Sequence, residues 1–349
     1  MKIGVSYFGN RILKHVKEDL QNIVEHSCNY VVHTFSENDL KYYRETMQDI
    51  VKVSHDLGLE VYIDPWGVGG VFGGEAFSNF LLENSDVWQV TSNGAAVPMA
   101  CLNNEKFKEF LREWVSVAVD LGSDVIFWDE PHLYINEPMK GKLNQWACLC
   151  EICKQKFKEK FNYEIPTEFS QDVVEFREET ITNFLAEMSR FARQKRVKNA
   201  VCLLPIESSI SGIKNWDRVC GIETMDIFGT DPYWISFEQK ATSMGFGKKA
   251  LKSLEVVKFV GYFSQKIQDL CKKYGKEGQI WIQAFKIPEG REQEVAIAID
   301  TAYNLGIRNI AAWGYDGCRS ISSIRSDRPE IVWEILGKRF EKILKKEAI

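Results

Sequence analysis

Asp124-Val-Ile-Phe-Trp-Asp-Glu-Pro131 is a short apolar run, β-branched and aromatic, that ends in two acids and a proline. Segments of helical periodicity lie on either side, so it reads as an inner strand of a parallel sheet, buried on both faces. The proline stops the strand and leaves Asp129 and Glu130 pointing into whatever cleft lies above its end. An acid pair beside Trp128 suits protonation of a sugar leaving group. Apolar surface raises a carboxyl pKa, and an aromatic face stacks on a sugar ring. The plainer reading makes Asp129 a cap and Glu130 half of an ion pair.

Seven further runs have the same character: 2–8 (KIGVSYF), 29–35 (NYVVHTF), 60–64 (EVYID), 199–204 (NAVCLL), 225–229 (MDIFG), 279–283 (QIWIQ) and 309–313 (NIAAW). Amphipathic stretches at 38–57, 104–121, 170–196, 255–274 and 291–305 separate them. In 104–121, Phe107, Leu111, Trp114, Val115 and Ala118 fall on one helical face. Gly58, Gly122, Gly275 and Gly306 follow four of these stretches, where a left-handed C-cap is expected. Eight strands alternating with helices predict a (β/α)8 TIM barrel forming a single catalytic domain over 1–349, with an open doubly wound sheet as the alternative. Long excursions at 65–103 and 131–165, after the third and fourth strands, belong on the C-terminal face.

The 349 residues are 45% hydrophobic and 27% charged, which is globular usage. A formal net charge of -5 and the lack of a basic stripe argue against nucleic acid. The start, MKIGVSY, enters a strand directly, and no apolar run is long enough for a membrane span. A cytoplasmic location is expected, with the nine cysteines as thiols or metal ligands rather than disulfides. The oligomeric state stays open, a homo-oligomer included.

The barrel reading predicts that every strand ends above one shared opening. Glu37 follows the second strand, Asp64-Pro65-Trp66 the third, and Asp129-Glu130-Pro131-His132 the fourth. Glu207 comes after the fifth, Asp231-Pro232-Tyr233-Trp234 after the sixth, Gln283 and Lys286 after the seventh, and Trp313, Tyr315 and Asp316 after the eighth. Acids interleaved with Trp and Tyr predict a carbohydrate cleft, in which acids hold hydroxyls and aromatic rings cover sugar faces. The glycine-rich stretch 67–74 (GVGGVFGG) fits a loop closing over that cleft better than a phosphate cradle, because no helix opens directly behind it.

Cys148, Cys150 and Cys153 form C-x-C-x-x-C, spacing that supplies three corners of a tetrahedral zinc site. Cys101, at the end of the other excursion, is the natural fourth; buried, unliganded thiols are the alternative. The remaining cysteines sit in core elements, and His33 lies within a strand as a core residue.

One cysteine after the third strand, C-x-C-x-x-C after the fourth, and the following Phe157 and Phe161 resemble the zinc loop of the family 42 β-galactosidases over about residues 60 to 165. That resemblance implies a glycoside hydrolase with Glu130 as general acid/base and structural zinc on Cys101, Cys148, Cys150 and Cys153. The chain departs from it in having Asp129 before the acid and Gln283 where the clan has a nucleophilic Glu. The adjacent Asp129–Glu130 pair resembles instead the family 20 hexosaminidases, in which the substrate's 2-acetamido group attacks and the Asp orients it.

The expectation is therefore hydrolysis of the O-glycosidic bond of a small saccharide. Glu130 donates the proton, Asp129 orients the substrate or Glu130, and Asp231 or Asp316 is the candidate second carboxylate. Glu37, Asp64, Trp66, Trp128, His132, Tyr233, Trp234, Gln283, Lys286, Trp313, Tyr315 and Asp316 would bind sugar. Carboxylates about 5 Å apart would mean retention of configuration, and about 6.5–9.5 Å inversion. Within the pair the proton is assigned to Glu130. A metal-dependent hydrolase or lyase using strand-end acids, and a non-catalytic sugar-binding barrel, are the rival readings.

Overall fold

The apolar runs become strands in a computed structural model that describes residues 1–8, 10–135, 145–209, 211–244, 251–252 and 254–347. In chain order they are β1 (Lys2–Tyr7), β2 (Tyr30–Thr34), β3 (Glu60–Asp64), β4 (Trp88–Val90), β5 (Ala96–Ala100), β6 (Val125–Asp129), β7 (Lys198–Leu203), β8 (Ile227–Thr230), β9 (Glu277–Gln283) and β10 (Asn309–Trp313). Eight of them pair in parallel around a closed ring, β1-β10-β9-β8-β7-β6-β3-β2, and helices fill the connections. The fold is a (β/α)8 barrel.

Strand alternation sorts side chains to the two faces of the sheet. The barrel strands send residues to the lumen, among them Val32, Tyr62, Phe127, Ala200, Ile227, Trp281 and Ala311. The alternate positions, such as Val31, Ile63, Ile126, Val201, Phe228, Ile280 and Ile310, pack outward against the helices. Low in the lumen, Tyr30 Oη donates to Asn309 Oδ1 (2.7 Å), Gln279 Nε2 donates to Tyr30 Oη (3.1 Å), and Trp281 Nε1 donates to Gln279 Oε1 (2.9 Å). These polar groups satisfy one another beneath the apolar layer.

The helix face predicted from 104–121 is real. Helix Glu105–Asp120 buries Phe107, Leu111, Trp114, Val115 and Ala118, and Asn104 caps it by accepting from Lys106 N (3.0 Å). Each such large side chain contributes about 1.5–3 kcal/mol on burial. Gly58, Gly122, Gly275 and Gly306 all have positive φ at helix ends. The single helix expected over 38–57 is two, Glu37–Tyr42 and Arg44–Asp56, because Tyr43 leaves helical geometry at φ -126.

The excursion 65–103 is partly ordered by sheet pairing, as β4 and β5 form an antiparallel hairpin. The second excursion joins it. Leu149 N donates to Val90 O (2.7 Å) and Ser92 N to Trp146 O (2.8 Å). Residues 136–144 of that excursion lie outside the described residues. No helix among the described residues is long and apolar enough to cross a membrane.

Candidate active site

Three strand ends share one turn. Trp66 N donates to Asp64 O (2.8 Å), Ile206 N to Leu204 O (2.7 Å) and Tyr233 N to Asp231 O (2.6 Å), each spanning a proline. Proline's fixed φ suits this three-residue turn. It folds an aromatic residue back beside the acid that precedes it at β3 and again at β8. At β6 the chain turns more sharply: Glu130 has φ 42, a left-handed conformation unusual for a side chain of its size. His132 closes that turn by placing Nδ1 2.6 Å from Glu130 O.

The acids delivered this way converge. Asp64 and Asp231 are buried, while Asp129 and Glu130 are half-buried. The Asp231 carboxyl is within hydrogen-bonding reach of Glu130. Burial first, then Glu130 and Glu75, push Asp64 well above the usual carboxylate range. Burial, Asp64 and Glu130 do the same to Asp129, and burial, Glu130 and Asp129 to Asp231. Cys202, expected as an inert thiol, lies beside Asp231, and Tyr233 stands over the same group.

Glycine lets the loop approach this close. A Cβ on Gly73 would sit 2.5 Å from Asp129 Oδ2 and 3.2 Å from Glu130 Oε2. Gly73 N donates to Asp129 O (3.1 Å), so the glycine stretch covers the acid pair. Glu75 follows at the rim. Crowding by protein and by Glu130 raises it, while Trp66 and the exposed Lys286 oppose the shift. The opposite wall is aromatic: Phe8 stacks between Trp66 (6.0 Å) and Trp313 (5.4 Å).

Several residues that the sequence nominated do not join this opening as substrate binders. Trp128 alternates with Asp129 and so faces outward, fully buried, with Nε1 bonded to Asn199 Oδ1 (3.0 Å). Trp234 is likewise buried among helices, donating to Glu294 Oε2 (2.6 Å). Glu37 is consumed by the loop, accepting from Gly69 N (3.0 Å), Ser78 Oγ (2.6 Å) and Phe80 N (2.6 Å). Gln283 accepts from Ile235 N (3.1 Å) and donates to Ser236 Oγ (3.1 Å) and Phe285 O (3.0 Å), leaving nothing for a hydroxyl. Tyr315 and Asp316 line, with Tyr7, Phe8, Asn10, Asp19 and Arg319, a cavity of about 440 Å³ that Phe8 shares with the aromatic wall. The turn after Gly314 carries them there, with Asp316, Gly317 and Cys318 all at positive φ.

Glu75, Phe8 and Cys202 were not anticipated at the site. Phe8 was legible, since it shares strand parity with Ser6 at the end of β1. Glu75 had no signal, because a loop carries it back from eleven residues beyond Asp64.

The cysteines of the two excursions meet. Sγ of Cys101 lies 3.5 Å from Sγ of Cys153 and of Cys150, and all four sulfurs are within 4.8 Å of one another. These distances are far beyond a disulfide bond and close to the roughly 3.8 Å edge of a sulfur tetrahedron around a metal with 2.3 Å bonds. Asn103 Nδ2 (3.4 Å) and the Cys150 N–H (3.4 Å) point at Cys153 and Cys148 sulfurs, the donors a thiolate site needs around it. Crowding lowers Cys150 and raises Cys101 and Cys153, a competition that one cation would end. The donor set therefore fits a metal ion. Among the described residues it is the one group close enough to hold a metal ion, and the strand-end acids form none.

No family model and no curated protein matches the chain. Solved structures do match in shape. An endo-1,4-beta-mannanase from Rhizomucor miehei has a TM-score of 0.60 at 9% identity, over 98% of this chain and 95% of that one. A GH5_18 protein from Streptomyces cattleya, solved with GlcNAc, has a TM-score of 0.57 at 12% identity, over 97% and 80%. An L-ribulose 3-epimerase has a TM-score of 0.51 at 12% identity, over 100% and 97%. At such identities the likeness establishes the barrel alone; kinship with family 42 or family 20 is not shown.

Proposed function

We propose that the chain is a glycoside hydrolase acting on a small saccharide, with Glu130 as general acid/base. The observation that carries this reading is the position of Glu130, on a left-handed turn at the end of β6, between buried acids and under a wall formed by Phe8, Trp66 and Trp313. An aromatic wall offers a sugar face a surface, and Glu130 stands where it can deliver a proton to the glycosidic oxygen.

Asp231 stands beside Glu130, and in this reading it positions Glu130 rather than attacking the sugar. Gln283 is locked and is no nucleophile. Attack by a 2-acetamido group of the substrate, oriented by Asp129, is the path these positions favour. In the first step Glu130 protonates the leaving oxygen while the acetamido oxygen bonds to the anomeric carbon. In the second, Glu130 takes a proton from the water that opens the resulting ring.

We assign zinc to the four cysteines, in a structural role. Thiolate ligands and a closed tetrahedral set suit it, and the site clips the two excursions above the barrel. The metal-dependent hydrolase reading is disfavoured by the engagement of Glu37 and because, among the described residues, no set of acids comes close enough together to hold a metal ion.

The test is release of 4-nitrophenol from a panel of glycosides, N-acetylglucosaminide included, with and without EDTA. Release from at least one glycoside, with an initial rate indifferent to EDTA, is expected. Rates that vanish with EDTA and return with magnesium would put the chemistry on a metal instead.

A further inference from the structure

The buried acids of this chain divide into two sorts. Glu37, Asp39, Glu178 and Glu292 have their oxygens engaged: Asp39 by Arg11 and the Ser36 cap, Glu178 by Lys214 N and Asn215 N, Glu292 by Arg328 and Gly290 N. Asp64 is fully buried, and neither of its oxygens has a partner; one oxygen of Asp231 is equally bare. Two more buried polar atoms without partners lie near Asp64: Ser6 Oγ and Thr34 Oγ1.

Placement makes these atoms one feature. Thr34 and Asp64 are register partners on neighbouring strands, and Ser6 faces Val32, a lumen residue, across β1 and β2. All three side chains are thus directed into the upper lumen, and Trp66 leans over them from the turn after Asp64. Buried polar atoms are almost always paired, and leaving one bare costs about 1–3 kcal/mol. A group of them on three adjacent strand ends, beside an aromatic wall, is a set of contacts awaiting a polar ligand.

We propose that Asp64, Ser6 and Thr34 form the floor of the sugar-binding opening and hydrogen-bond the hydroxyls of an uncharged sugar residue, anionic sugars being refused. The inference rests on the opening being a sugar site, but not on hydrolysis. Around Asp64 stand Asp129, Glu130 and Glu75, and Lys286 at the rim acts on Glu75. A uronate or phosphorylated sugar would bring a further negative charge into this group. A neutral sugar brings hydroxyls, which can both donate and accept. Asp64 is pushed well up by burial and by Glu130 and Glu75, and in its protonated form it matches a hydroxyl in both roles.

The test is binding, read by NMR titration of the whole chain with the methyl glycosides of glucose, galactose, mannose and N-acetylglucosamine, and with methyl glucuronide and galacturonide, at pH 7. At least one neutral glycoside should saturate, and its uronide counterpart should bind at least about tenfold more weakly. Asp64→Asn keeps a donor and an acceptor and should bind within about threefold of wild type, whereas Asp64→Leu should lose at least about tenfold. Thr34→Val, which preserves shape, should lose about two- to tenfold and guards against a misfolded Asp64→Leu, each variant being first shown to melt cooperatively. A uronide that binds as tightly as its neutral counterpart, a folded Asp64→Leu with wild-type affinity, or no titration by any glycoside overturns the proposal. Selective neutral binding in a chain that turns over no glycoside would instead overturn the hydrolase reading alone.

Discussion

At the scale of single residues, adjacency in sequence and adjacency in space part company at the strand ends. Asp129 enters the lumen, so Trp128 must leave it, and strand alternation alone carried that information. Trp234 opens the helix Trp234–Ser243, which starts beyond the strand and buries it. The fates of Glu37 and Gln283 were not legible, because their partners, Ser78, Phe80 and Ile235, arrive from loops whose course the sequence does not reveal. Asp64 makes a prediction of its own. A carboxyl raised on folding favours the native state while both states are protonated, and that advantage is lost as pH climbs from the ordinary value of 3.8 through the folded one. Asp64→Asn, which cannot ionise, should therefore melt above wild type at pH 7, with the gap closing toward pH 3.5. A gap that widens on acidification would mean that Asp64 is ionised and stabilised in the fold. Asp129→Asn should cost turnover chiefly on 2-acetamido glycosides; an equal loss on every sugar would point to an orienting role toward Glu130.

At the scale of elements, barrel strands and helix caps were readable, whereas the two excursions owe their shape to contacts between them. C-x-C-x-x-C signalled three of the four thiols, and Cys101 arrives through the β4–β5 hairpin, which periodicity did not disclose. Elemental analysis of protein purified without chelator should find about one zinc per chain, and chelation should lower the melting temperature more than the initial rate. Metal-free protein with unchanged stability would leave the cluster as packed thiols. Glu37 ties the glycine loop to the helix Glu37–Tyr42 through three donors. Glu37→Gln turns one acceptor into a donor that faces N–H groups, and should destabilise the chain by about 1–3 kcal/mol in urea unfolding. A change within error would show that the loop holds without it.

At the scale of the whole molecule, parallel pairing of β1 with β10 closes the ring and brings residues 8, 64, 130, 231 and 313 to one mouth, although they are spread along nearly the whole chain. Periodicity foretold this closure; it could not foretell which strand-end groups the loops would seize first. What is left free, Glu130 among partly bare acids, is the basis of the functional account. The most direct measurement compares wild type with Glu130→Gln on a natural saccharide and on an aryl glycoside with a good leaving group. The side chain keeps its size and loses its proton. Turnover of the natural substrate should fall by roughly 10²–10⁴-fold, and that of the activated one much less. Near-wild-type turnover of the natural substrate by Glu130→Gln would contradict the account.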